Sequence, residues 1–339
     1  MTVTTEEETI LNSIVVQSEN DPLNPEFPPE NPKFPATPTY KIQVPGFSNV
    51  WVKDESKNTT GTHKDRMAWE IVVTYRNFLL EKKKSKTIKK LPHMSIISSG
   101  SAAIAIQTVL QRYKLPKLKV LVDKGIDVTI LKKIKELGCE VYKADLQKKA
   151  LLSKDILRIT KNEQGFDITS AEALDPATRY YDWLSYEILN ENPDYCFIPF
   201  GTGNLYENIL NVNKKEIYAQ THDPRFKGDI EILRDCNFMG ATTNNPKTKA
   251  VKLYSSHLPF VHYDEQWIRL YKEAGFCGPE SNVFTVQEEY IEQALEIVKK
   301  QNITTEASGI AGLALLLQMQ KKIPKDKKIL IINTGKTKL

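Results

Sequence analysis

Hydrophobic and polar positions change rhythm as this chain proceeds. Before residue 39 no period is sustained. Seven prolines fall between Pro22 and Pro38, and prolines forbid helix and favour extended or turn backbone. Residues 1–38 therefore read as an extended arm. From residue 39 onward, short apolar runs alternate with longer stretches of helical period. VWVK at 50–53, HMSIIS at 93–98, KVLVD at 119–123, CEVYKAD at 139–145, YCFIPF at 195–200, EIYAQTH at 216–222 and KILIIN at 328–333 read as strands. Residues 65–80 read as a helix carrying Met67, Ile71 and Phe78 inward, and 101–113, 127–138, 288–302 and 308–322 follow the same period. Gly138 is a helix stop. The unbroken apolar run at 328–333 suits a strand covered on both faces. Strands alternating with helices predict an α/β fold of open, mostly parallel sheets with helices on both sides.

Composition narrows this picture. With 339 residues the chain has room for one large or two ordinary domains. No apolar run approaches the length of a membrane span. The start, MTVTTEEETI, is acidic and lacks the basic and apolar regions of a secretory leader, so a cytoplasmic location is expected. Cys139, Cys196, Cys236 and Cys277 are far apart and form no CxxC pair; they read as reduced thiols. Five histidines without HExxH or a Cys/His cluster give no support for a metal site. The net charge of +5 is concentrated in EKKKSKTIKK at 81–90 and KKIPKDKK at 321–328. No aromatic residues interleave these lysines as a stacking surface requires. Solvated loops and helix ends are the expectation there, with no nucleic-acid or membrane partner.

Three loops carry candidate chemistry, each at the carboxyl end of an expected strand, where open α/β sheets gather ligands. The first is KDESKNTTGTHKDRMA at 53–68. It sets Lys64 at a helix start, where the dipole disfavours a cation. A lysine held in a desolvated site offers a neutral amine as nucleophile and base; a surface lysine is the plainer reading of this stretch alone. The second, SIISSGSAAIAI at 95–106, places Ser98, Ser99, Gly100 and Ser101 before a helix of small residues. Such a loop can hold a carboxylate or simply cap the helix. The third, FIPFGTGNLYENIL at 197–210, runs Gly201, Thr202, Gly203, Asn204, Leu205 into a helix. Glycines let backbone wrap an anion, which suits a phosphate. It is neither GxGxxG nor a P-loop, and a plain turn fits it equally well.

Taken together, the three loops resemble the tryptophan-synthase-β-like, fold type II family of pyridoxal-phosphate enzymes. That family includes threonine synthase, threonine dehydratase, cysteine synthase and serine racemase. Lys53, Glu55, Asn58, Thr60, Gly61, Lys64, Asp65, Arg66 and Ala68 match its cofactor-lysine segment, KxExxNPTGSFKDRGA. SSGSAA at 98–103 resembles its SSGNAA loop, and GTGNL at 201–205 its glycine phosphate loop. TEASGIAGLALL at 305–316 and INTGKTK at 332–338 resemble its later motifs. The resemblance covers nearly all of the chain after about residue 36. It implies pyridoxal 5'-phosphate as cofactor, with Lys64 forming the Schiff base and moving the Cα proton. Gly201, Thr202, Gly203, Asn204 and Leu205 would bind the phosphate, and Thr334 would face the pyridine nitrogen. Ser98, Ser99, Gly100 and Ser101 would take the substrate carboxylate. It also implies a homodimer and two domains: a large one from 39–92 plus 175–339 and a small mobile one at 93–174.

Two departures stand out. Ser101 occupies the place of the family asparagine that contacts the cofactor's 3'-oxygen, and His63 that of a phenylalanine. Ser101 is shorter than the asparagine, which leaves open whether it reaches that oxygen directly or through a water. His63 either handles protons or fills the same space. The implied activity is elimination or replacement at the β or γ carbon of a small amino acid, threonine synthase-like or threonine dehydratase-like. Cysteine synthase-like β-replacement is a close alternative. A non-catalytic binding or regulatory relative is a second class, and a nicotinamide- or nucleotide-binding enzyme a remote third.

Overall fold

A computed structural model describes residues 4–14, 34–85, 88–148, 151–169, 180–222, 234–254 and 265–339. In chain order its elements are α1 (Thr5–Ser13), β1 (Thr39–Val44), β2 (Phe47–Asp54), α2 (Lys64–Ser85), β3 (Met94–Ile97), α3 (Ser101–Arg112), β4 (Lys119–Asp123), α4 (Val128–Glu136), β5 (Glu140–Ala144), α5 (Ser153–Ile159) and β6 (Phe166–Asp167). Then come α6 (Asp182–Leu189), β7 (Tyr195–Pro199), α7 (Asn204–His222), β8 (Asn237–Thr242), α8 (Glu265–Glu273), β9 (Asn282–Thr285), α9 (Glu288–Lys300), α10 (Ala311–Gln318) and β10 (Ile329–Asn333).

The strands form two sheets. One has the order β1-β2-β10-β7-β8-β9, the other β5-β4-β3-β6. Every pairing is parallel except β1 with β2. The expected α/β class with mostly parallel sheets is what forms. β10, last in the chain, lies between β2 and β7 with all five residues buried, as its unbroken apolar run requires. Because β2, β10 and β7 run parallel, residues 55–64, 334–338 and 200–205 all leave the same edge of the sheet. The four strands of the second sheet come from residues 94–167. The 174/175 boundary of the expected small domain lies outside the described residues.

α2 and α3 join the two sheets. Ile71 and Tyr75 of α2 and Ile106 and Leu110 of α3 share one core with Val120 of β4 and with Ile198, Phe238 and Ile332 of the larger sheet. On the other face of that sheet, α10 is buried along its length and packs with Val52, Phe197 and Ile331.

Two expectations need correction. EIYAQTH at 216–222 is not a strand but the last turns of α7. Ile and Tyr favour strands in a short window, yet Leu205, Ile209, Val212, Asn213, Glu216, Ile217 and Gln220 are buried at three- and four-residue steps, and this longer period prevails. The strand comes later, as β8. Gly240 sits within it because a Cβ there would lie 2.8 Å from Val283 and 3.3 Å from Tyr206. Residues 5–13 of the expected extended arm are helical. Thr4 and Glu7 close a capping box, Ile10 and Ile14 are buried, and Lys82 pairs with Glu7 at 2.7 Å. The prolines from Pro22 to Pro32 lie outside the described residues.

Candidate active site

The segment ahead of Lys64 is fixed by its own side chains. Asn58 donates to Glu55 Oε2 at 2.8 Å and to the Thr62 carbonyl at 3.1 Å. The Thr60 N–H and hydroxyl both donate to Asp65. Gly61 has a φ of +85°, and a Cβ there would lie 2.3 Å from the Lys336 carbonyl. The turn therefore packs directly on the terminal segment. Arg66, two residues past Lys64, is buried and grips two carboxylates. Its Nε and Nη2 donate to Glu55 at 3.0 and 2.8 Å. Its Nη1 and Nη2 donate to Glu187 at 2.6 and 2.9 Å. Lys53 pairs with Glu187 and donates to the Thr37 carbonyl at 2.6 Å. Lys53, Glu55, Asp65 and Arg66 thus set where α2 begins.

Lys64, the first residue of α2, is half-buried, and its Nζ lies 2.7 Å from the Tyr181 hydroxyl. Tyr181 is buried, and its backbone N–H donates to Asn208 Oδ1 at 3.3 Å. The lysine is thereby tied to the first turns of α7. His63 stands 5.4 Å from the Tyr181 ring, centroid to centroid. Its backbone N–H donates to the Thr334 carbonyl at 3.2 Å. Burial, and then the nearby Lys64 ammonium, hold the His63 pKa well below its usual value. The ring is neutral at physiological pH and fills space beside the amine.

The three loops converge on this point. Thr334 follows β10; its N–H donates to the Gly309 carbonyl, while its half-buried hydroxyl has no partner among the described residues. Gly201 to Leu205 lead from β7 into α7, with Gly203 at φ +84°. Among the described residues, none of their backbone N–H groups donates to a protein acceptor outside the helix. A row of unmet N–H groups at a helix start suits an anion. Ser98 acts as a cap: its hydroxyl accepts from Gly100 N–H at 3.1 Å and Ala103 N–H at 3.3 Å. Gly100 N–H is thus already engaged, and Ser99 is the exposed member of the loop.

Lys252 and Tyr181 join this site without any sequence signal pointing to them; Glu306, which also joins it, lies in the TEASGIAGLALL stretch at 305–316 but had no role assigned from the sequence. Lys252 Nζ lies 2.6 Å from Glu306 Oε1, 2.9 Å from Ser101 Oγ and 3.1 Å from Thr337 Oγ1. The Ser101 and Thr337 hydroxyls are 2.7 Å apart. The Lys252 carbonyl abuts Gly201, where a Cβ would approach to 2.6 Å. Lys252 thus touches the residue 101 loop, the glycine loop and the terminal segment. No group of three or more metal-ligating side chains occurs among the described residues. There too, no helix is long and apolar enough to cross a membrane. All four cysteines are buried and unpaired. Of the two lysine runs, Lys82 turns inward to Glu7 and Lys327 reaches Asp194 at 3.1 Å.

An amine, an anion cradle and an unpartnered hydroxyl at one sheet edge fit an aldehyde-bearing pyridine phosphate. Solved structures share the fold. O-ureido-L-serine synthase superposes with a TM-score of 0.63 at 18% identity over 89% of both chains. The L-serine ammonia-lyase of the fungus Rhizomucor miehei gives 0.61 at 15% identity, covering 89% of this chain and 94% of that one. A pyridoxal 5'-phosphate-dependent aspartate racemase gives 0.60 at 17% over 88% and 89%. No curated protein sequence matches. At these identities the likeness is one of fold, but the family model described as pyridoxal-phosphate dependent enzyme matches residues 33–335, and the chain belongs to that family.

Proposed function

We propose that this enzyme eliminates or replaces a group at the β or γ carbon of a small amino acid, in the manner of threonine synthase or threonine dehydratase. One observation carries the reading. At the sheet edge that holds Lys64, the residue that follows β10 is Thr334, a neutral hydroxyl rather than a carboxylate, with no partner among the described residues.

Pyridoxal phosphate supplies the electron sink for a carbanion at the substrate Cα. The protein supplies the rest. The unmet N–H groups of Gly201 to Leu205 and the positive end of α7 hold the phosphate. Thr334 offers the ring nitrogen a neutral hydroxyl, which leaves the ring less electron-withdrawing and favours loss of a β substituent over transamination. Lys64 Nζ moves the proton at the substrate Cα. Tyr181 Oη accepts a hydrogen bond from the ammonium and donates one to the free amine, so the nitrogen keeps its place in both states. Ser99, with the start of α3, holds the substrate carboxylate. The sheet of residues 94–167 belongs to a small domain that swings inward and excludes water. A homodimer and a cytoplasmic location are part of the same reading.

The test is spectroscopic. Purified protein supplied with the cofactor should turn yellow, and Lys64→Ala should not. Serine, threonine, O-acetylserine and O-phosphohomoserine should then be screened for shifts of the visible band and for 2-oxo acid or replacement product. Uptake of cofactor with no shift and no product from any of them would leave a binding protein rather than an enzyme of this class.

A further inference from the structure

The Lys252 cluster can be counted hydrogen by hydrogen. An ammonium has three N–H donors. Those of Lys252 point to Glu306, Ser101 and Thr337. Two hydroxyls contribute two further hydrogens, and one of these bridges Ser101 to Thr337. One hydroxyl hydrogen remains. If Thr337 donates the bridge, Ser101 Oγ accepts twice, once from a cation, and keeps its own hydrogen for the cleft. A hydroxyl loaded in this way is a strengthened donor. It also sits in the first turn of the twelve-residue helix α3, where the dipole favours an anion.

Lys252 also fixes which anion this is. Its carbonyl abuts Gly201, in the loop read as the phosphate cradle. Its ammonium contacts Thr337, three residues beyond Thr334, the residue read as facing the ring nitrogen. Both flanking segments belong to the cofactor, which sets the remaining hydrogen on the rim of the cofactor ring. Pyridoxal phosphate has four polar groups. The resemblance assigns the phosphate, the ring nitrogen and the aldehyde to Gly201–Leu205, Thr334 and Lys64, and it sets position 101 against the phenolic oxygen.

We propose that Lys252, acting through Ser101 and Thr337, positions a charge-backed hydroxyl donor on the phenolic oxygen of the cofactor, with Glu306 holding the ammonium in place. This rests on the reading of the site as a pyridoxal-phosphate centre. Lys252 is a positioning residue and Ser101 the group in contact. A donor backed by a cation favours the ionised oxygen, and with it the visible-absorbing form of the bound cofactor over the near-ultraviolet one.

The experiment titrates cofactor into wild type, Lys252→Met, Lys252→Arg, Ser101→Ala and the double variant Lys252→Met/Ser101→Asn, reading affinity and the ratio of the two bands. Lys252→Met should bind about tenfold or more weakly, the scale of a lost hydrogen bond to a charged group, and its visible band should give way to the near-ultraviolet one. Lys252→Arg should keep the wild-type ratio. The double variant should recover both readouts, because an amide side chain reaches the oxygen unaided. Ser101→Ala leaves the Ser98 cap in place and should shift the bands as Lys252→Met does, so a Lys252→Met protein that fails to fold still leaves a decisive variant. Wild-type bands and affinity in both Lys252→Met and Ser101→Ala overturn the proposal, as does a double variant no better than Lys252→Met. Wild-type protein that takes up no cofactor overturns the site reading itself.

Discussion

Two clusters of cation and carboxylate border Lys64, and they differ in what they leave over. Around Arg66 the groups are closed in on one another. Arg66, Lys53, Glu55, Glu187 and Thr37 are joined to one another by hydrogen bonds and ion pairs of 3.3 Å or less, and both cations are buried. Around Lys252 the contacts among the described residues leave one hydroxyl hydrogen over. A closed network fixes a backbone; an open one presents a group to a ligand. Lys53, Glu55, Asp65 and Arg66, which match a catalytic-lysine motif, are therefore those that aim Lys64, while Lys252, which links Ser101, Glu306 and Thr337, lies in no motif.

The closed network should be the one whose loss unfolds the protein. Arg66→Met strands Glu55 and Glu187 in the interior, and breaking a buried pair in this way costs about 3–5 kcal/mol. Urea unfolding should show the loss; a change under about 1 kcal/mol would show that the network is not what holds α2.

On the open side, changes should reach the ligand and spare the fold. Gly203→Asp sets a carboxylate in the phosphate cradle at a φ of +84°. Cofactor affinity should fall about a hundredfold, the scale of one like charge brought within a few ångströms. Unchanged affinity would mean the cradle lies elsewhere.

Acid and base separate the two sides more finely. Burial raises the Glu187 pKa, but Arg66 and Lys53 outweigh it and hold the group below its ordinary value. Its contribution to stability is present above the unfolded value and lost as pH falls through the folded one. The cost of Glu187→Gln should therefore shrink below about pH 4.5, the ordinary glutamate value. Glu70 is the opposite case. Burial, then the nearby Asp182, push its pKa up to about 8. Its ionisation opposes folding progressively between the ordinary value of 4.5 and about 8. Glu70→Gln should raise the melting temperature at pH 8.5 and do little at pH 4.5. A gain equal at both pH values would contradict a raised pKa for this half-buried carboxyl.

Much of the fold was legible because its signals are local. KVLVD is β4 residue for residue, and the apolar run at 328–333 gave away the central strand. Residues 216–222 misled because a seven-residue window hides a helical period that only nineteen residues reveal. β8 was missed because Asn237 and Gly240 interrupt its pattern, and the glycine answers to Val283 and Tyr206, which are remote in sequence. At the site, Lys64, Gly201 to Leu205 and Thr334 stand in loops with their own spacing. Tyr181 and Lys252 do not. Their positions matter only once β7, β10 and α3 bring distant segments together, so a single sequence carries no mark of them.

The most direct measurement is reductive trapping of the bound cofactor with borohydride, followed by peptide mass mapping. Two lysines point into this site, Lys64 and Lys252, and only Lys64 should carry the covalent link. A pyridoxyl mass on the peptide containing Lys64, and none on that containing Lys252, is the predicted result. Label on Lys252, or label scattered over surface lysines, would contradict it.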